Sequence, residues 1–115
     1  MIVIEEQKDV LKAHVYAEFS LADFREFEQA VTNELRDYEH VNVLFDLQNM
    51  ERFSVDMVIE ELKFNKQHAR DYERIAVVTD NQRHAWVGWL AGAFIDANVQ
   101  QFNDVESAST WLETG

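Results

Sequence analysis

The sequence predicts an α/β domain on a mixed, mostly parallel sheet of about five strands. Three observations lead there. Near the N-terminus, Val10–Phe19 alternates between polar and apolar residues. Short apolar runs recur further on as Val41–Leu47, Arg74–Thr79 and Val99–Phe102. Between these runs lie stretches whose apolar residues return every three or four positions. Strands separated by helices call for parallel pairs joined by crossover connections. The expected order is β-β-α-β-α-β-α-β-α, with four helices packed on the sheet, in one domain covering residues 1–115.

The opening pair is Ile2–Ile4 and Val10–Phe19, joined by the polar Gln7-Lys8-Asp9 as a hairpin. In the second strand Leu11, Ala13, Val15, Ala17 and Phe19 share one apolar face, and Lys12, His14, Tyr16 and Glu18 share the other with Val10, the pattern of a half-buried strand. Ser20 stands at a helix N-cap position with Asp23 three residues on, a capping-box arrangement. Leu21, Phe24, Phe27, Val31, Leu35 and Tyr38 then form an apolar stripe, with Glu26, Glu34 and Asp37 expected to face water.

Val41–Leu47 is expected as a buried strand containing Asp46. Ser54 caps a second helix over about 55–68, with Val55, Val58, Ile59, Leu62 and Lys66 on its core-facing side. Arg74–Thr79 is the next strand, and a helix follows from about Asn81 to Asp96. A short strand at Val99–Phe102 leads to a last helix from near Asp104, carrying Val105, Ala108, Trp111 and Leu112 inward.

Composition narrows the function classes. The 115 residues carry 10 Lys and Arg against 22 Asp and Glu, a formal charge of −12, which disfavours nucleic acid as a partner. With no cysteine there are no disulfides, thiolate nucleophiles or cysteine-bound metals. The acidic N-terminus is unlike a secretory signal, and the stretch from His84 to Ile95 is too short to span a bilayer. The expected location is the cytoplasm, with a peripheral contact at the inner membrane surface left open.

No pattern of a catalytic centre emerges. His14, His40, His68 and His84 lack metal-ligand spacing, and no serine lies in a nucleophile elbow. Asp46 and Asp80 end strands but lack the partners of a phosphoacceptor site, so turn capping accounts for them. No metal, cofactor or enzymatic activity is expected.

The element order resembles that of the STAS superfamily, and within it the SpoIIAA-like group of small bacterial proteins. The resemblance covers nearly the whole chain. It rests on Val43-Leu44-Phe45-Asp46-Leu47, Arg74-Ile75-Ala76-Val77-Val78, the Trp-bearing helix and the closing Ala108-Ser109-Thr110-Trp111-Leu112. It implies a non-enzymatic carrier, sensor or interaction role. Anti-sigma antagonists of the superfamily carry an Asp-Ser-Ser-Gly-like phosphorylation motif at the helix after the third strand. Here that stretch reads Arg52-Phe53-Ser54-Val55-Asp56-Met57, and Ser54 is read as a helix cap.

The most unusual segment is the helix expected at 81–96. Trp86, Trp89, Leu90, Ala93 and Phe94 fall on one face, Val87, Ala91 and Ile95 continue it, and Gly88 and Gly92 leave a shallow strip. This exceeds the apolar stripe that one sheet contact needs. Met57 and Phe64 form a smaller surplus on helix two, opposite its expected core side. Two explanations stand. Either the two helices bury each other's surplus, or they border a pocket for an apolar or lipid-like small molecule and meet a membrane surface.

Charge bears on the choice. Residues 63–84 hold Lys63, Lys66, Arg70, Arg74 and Arg83 against Asp71, Glu73 and Asp80, a net +2 that leaves −14 on the rest. The expected ligand or membrane contacts are therefore Met57, Phe64, Trp86, Trp89, Leu90 and Phe94. Lys63, Lys66, Arg70 and Arg83 add electrostatic attraction to a surface. The alternative is a protein–protein module, either a homodimer or a regulator bound to a partner protein.

Overall fold

A computed structural model describes residues 1–8, 10–68, 70–79 and 98–113. Its five strands are β1 (Ile2–Gln7), β2 (Val10–Phe19), β3 (Val41–Phe53), β4 (Tyr72–Val78) and β5 (Asn98–Phe102). The helices among the described residues are α1 (Leu21–Glu34), α2 (Val55–Gln67) and α3 (Val105–Glu113). The helix expected at 81–96 lies outside the described residues, as do Arg83, Trp86, Trp89, Leu90 and Phe94.

The sheet order is β1-β2-β3-β4-β5, antiparallel between β1 and β2 and parallel thereafter. Gln7 pairs with Val10, so the β1–β2 turn is tighter, and β1 longer, than the sequence suggested. Lys8 in that turn has φ 53, a left-handed conformation that costs a non-glycine residue energy. Because the described strands follow chain order, there is among them no reversal point of the kind where open α/β sheets usually bind ligands.

Consecutive crossovers of one hand, running in one direction across a sheet, land on the same face. Accordingly α1 and α2 share a core with Leu11, Ala13, Val15, Val43, Phe45, Leu47, Ile75 and Val77. α3 packs on the other face, where Ala108 and Leu112 meet Leu44, Ala76 and Val78. The first core is rich in aromatic rings. Phe24 lies 5.5 Å from Phe27 and 5.9 Å from Phe64, and Phe27 lies 4.9 Å from Phe45, measured between centroids.

The capping box of α1 is formed. Ser20 Oγ accepts from the Asp23 amide at 3.2 Å, and Asp23 Oδ2 accepts from the Ser20 amide at 2.9 Å. The same carboxylate accepts from the Met1 ammonium at 2.9 Å. Burial raises the Asp23 pKa, but the ammonium and the Ser20 donors outweigh it, so the net shift is downward.

Several expectations need correction. α1 stops at Glu34, which leaves Tyr38 beyond the helix and 39% exposed. Glu34, expected to face water, is buried. Ala17 breaks the β2 alternation: it is exposed with φ 57, next to register shifts in the β2–β3 pairing.

The largest correction concerns α2, whose faces are reversed except at Val58, which packs against the core as expected. Met57 and Phe64 are buried in the core, while Val55 is 73% exposed and Ile59 and Leu62 are each 50% exposed. The buried stripe runs Met57, Glu61, Phe64, with the cap residue His68 half-buried beyond it. A carboxylate and an imidazole in that stripe hide its inward orientation from any count of apolar residues. Phe64 decides the matter. It packs edge-on against Phe24, and His68 stacks on it at 4.3 Å.

Candidate functional site

The reversal of α2 creates the main apolar surface among the described residues. Ser54 starts the helix by accepting from the Met57 amide at 3.3 Å, which helps set the helical phase. With Met57 inward, Val55, Ile59 and Leu62 follow at steps of four and three and form one outward stripe. Phe53, at the end of β3, is 37% exposed just before the cap. Lys63 and Lys66 are exposed on the same helix, and Arg70 is exposed beyond its end.

The expected ligand contacts separate accordingly. Met57 and Phe64 belong to the closed core and supply no surplus surface. The apolar surplus on α2 is real but consists of Val55, Ile59 and Leu62, the residues expected on its core-facing side. The signal that could have found them is spacing: positions 57, 61 and 64 repeat at helical intervals as consistently as 55, 59 and 62, and the aromatic ring marks the heavier side.

The opposite face of the sheet carries a polar cluster. His14 on β2 has Nδ1 2.9 Å from Asp46 Oδ2 on β3 and Nε2 3.4 Å from Glu5 Oε2 on β1. Asp46 Oδ1 also accepts from the Gln48 amide at 3.2 Å. Asp46 therefore stands in the middle of β3, which runs on to Phe53 and not to an end at Leu47, and it bonds His14 on β2 and the backbone of its own strand where turn capping was expected. At the end of α2, His68 Nδ1 lies 2.7 Å from Asp71 Oδ2.

An opening lies at the amino ends of β2, β3 and β4, beside α3. It has a volume of about 720 Å³, and Lys8, Lys12 and Arg74 line it together with Val10 and Leu112. Arg74 donates from Nη1 to the Trp111 carbonyl at 2.8 Å, and its guanidinium carbon lies 5.0 Å from the Trp111 ring centroid. Arg74 belongs in sequence to the basic segment before the expected Trp-bearing helix, but the fold turns it toward α3.

Among the described residues no group of His, Asp or Glu has the arrangement of a metal site, and no helix is long and apolar enough to cross a membrane.

Comparison with solved structures supports the same architecture. A protein of SpoIIAA-like fold from Shewanella loihica PV-4 superposes with a TM-score of 0.77 at 20% identity, over 97% of this chain and 92% of that one. The anti-sigma factor antagonist SpoIIAA in its unphosphorylated form gives 0.64 at 7% identity, over 100% and 99%. An anti-sigma factor antagonist from Mycobacterium paratuberculosis gives 0.58 at 14% identity, over 98% and 93%. At these identities the likeness is one of fold. No curated protein matches the chain in sequence. The profile of the SpoIIAA-like family, however, matches residues 10–113, and the chain belongs to that family.

Proposed function

We propose that this chain is a non-enzymatic regulatory domain that docks a partner protein on the outward face of α2. The observation that carries the reading is the exposed stripe Val55, Ile59 and Leu62 on a helix whose other side is locked into the core. A stripe at these spacings suits a hydrophobic groove or a facing helix. Its rigidity limits the entropy lost on association. The relation to anti-sigma factor antagonists supports a protein-interaction role for the family. The net charge of −12 favours a basic partner, steered electrostatically before the apolar contact forms.

Regulation in this reading does not run through Ser54. Its Oγ is engaged as the cap acceptor, and the residues around it contain no Ser-Gly pair.

A lipid surface is the second reading, favoured by Lys63 and Lys66 on α2 beside Leu62. It keeps the ligand or membrane role proposed for Trp86, Trp89, Leu90 and Phe94, with Arg83 beside them, but not for Met57 and Phe64.

Site-specific photo-crosslinking at positions 55, 59 and 62 in cells, with position 100 on β5 as control, identifies the partner. Titration of the purified partner then measures its affinity. Ile59→Asp is expected to weaken binding by tenfold or more, about 1.4 kcal/mol, while stability changes by no more than about 0.5 kcal/mol. An unchanged affinity overturns the docking face. Blue-shifted Trp emission and co-sedimentation with anionic vesicles, both abolished by Ile59→Asp, would instead assign the face to lipid.

A further inference from the structure

We infer that the opening beside α3 is a binding cleft for a small organic anion, separate from the partner face on α2. Its volume of about 720 Å³ falls in the range of small-molecule sites. Three elements deliver cations to it: Lys8 from the β1–β2 turn, Lys12 from β2 and Arg74 from β4. That is a marked convergence for a chain with 10 basic and 22 acidic residues.

Lys12 is the most telling of the three. It is half-buried, and its direct cross-strand neighbour on β1 is Glu5, the natural partner for an ammonium. The Glu5 carboxylate lies instead 3.4 Å from His14 Nε2. Among the described residues Lys12 makes no ion pair or side-chain hydrogen bond. A bound anion gives that ammonium the counter-charge it lacks among the described residues.

Arg74 supplies a fixed donor. The Trp111 carbonyl and ring hold its guanidinium, and a planar fork of this kind suits carboxylate and phosphate oxygens. Ser109 on α3 adds a hydroxyl to the lining, and Val10 and Leu112 provide an apolar wall. Glu73 and Glu113 also line the cleft, without ion pairs to the three cations among the described residues. They disfavour a polyanion. The chemistry that fits is one anionic oxygen group, carboxylate or phosphate, on a molecule with a short apolar part.

The test is an NMR titration of the ¹⁵N-labelled chain with inorganic phosphate in one arm and hexanoate in the other. Saturable shifts confined to residues 7–12, 73–74 and 109–113 are expected, tighter for the probe that resembles the natural ligand. Stronger phosphate binding assigns a phosphorylated ligand, and stronger hexanoate binding a carboxylate with an apolar chain. Lys12→Gln is expected to weaken binding about tenfold with the rest of the spectrum unchanged. Arg74→Lys, which keeps the charge but loses the fork, is expected to weaken it less. Shifts that never saturate in either arm, or binding that Lys12→Gln leaves intact, overturn the cleft. Neither result bears on the α2 face, which this cleft does not share.

Discussion

The two faces of the sheet are built on different principles. On the α1–α2 side the inward residues form one continuous core, with Phe64, Phe24, Phe27 and Phe45 in successive ring contact. On the α3 side a smaller cluster around Leu44, Ala76, Ala108 and Leu112 gives way to His14, Asp46, Glu5 and Lys12. The first side buries enough aromatic area to carry most of the stability. The second keeps polar groups near water and leaves an opening. Stability concentrated on one face allows the other to carry chemistry that packing alone would not select.

Truncations on the two sides test this division. Phe27 touches rings of both α1 and β3, so Phe27→Ala should cost about 3–5 kcal/mol. Leu112→Ala removes a side chain from the small cluster at the edge of the cleft, and should cost about 2 kcal/mol, the low end for such changes. Urea denaturation of the two variants measures both. Equal losses would break the comparison, because they would place the small cluster on a par with the aromatic core.

The same contrast explains what could be read from the sequence. β2, α1 and the strand centres were legible because one period dominates each. Ser20 and Asp23 announce the start of α1, and Val43-Leu44-Phe45 and Ile75-Ala76-Val77-Val78 have no competing pattern. α2 carries two apolar stripes of similar strength, so periodicity alone leaves its phase undecided. The choice is made by tertiary contact, namely the Phe64 ring against Phe24. The cleft was illegible for another reason. Lys8 and Lys12 are near neighbours in the chain, but Arg74 is far from both, and only the strand register brings it to them. Glu34 continues the buried stripe of Phe27, Ala30 and Val31, and only its charge suggests an outward position.

The entry to α1 offers the next test of the core side. Asp23 joins the capping box to the Met1 ammonium, and Asp23→Asn should destabilise the fold by about 1 kcal/mol at neutral pH. The pH dependence follows from the lowered carboxyl pKa. A folded pKa below the unfolded one stabilises the protein above the unfolded value near 3.8. That stability is lost as pH falls through the folded value. Urea midpoints of the wild type and Asp23→Asn should therefore differ at pH 7 and converge toward pH 3. A constant gap across that range would mean that the charge is not what the cap uses.

One turn further along the same helix the sign is opposite and the effect smaller. Burial, then the Glu60 charge on α2, raises the Glu28 carboxyl pKa, and Arg25 only partly opposes them. A folded pKa above the unfolded one favours folding below the unfolded value near 4.5, a contribution lost as pH rises through the folded value. Glu60→Gln removes the like charge, so it should stabilise the protein by about 0.5 kcal/mol at pH 7. The gain should vanish at pH 4 and below, where Glu28 is protonated with or without its neighbour. Asp23→Asn at the start of α1 and Glu60→Gln opposite its middle are thus expected to change stability in opposite directions. If Glu60→Gln instead destabilises at pH 7, the Glu28–Glu60 contact holds α2 to α1 and does not strain it. The aromatic core would then have a polar clasp at its rim.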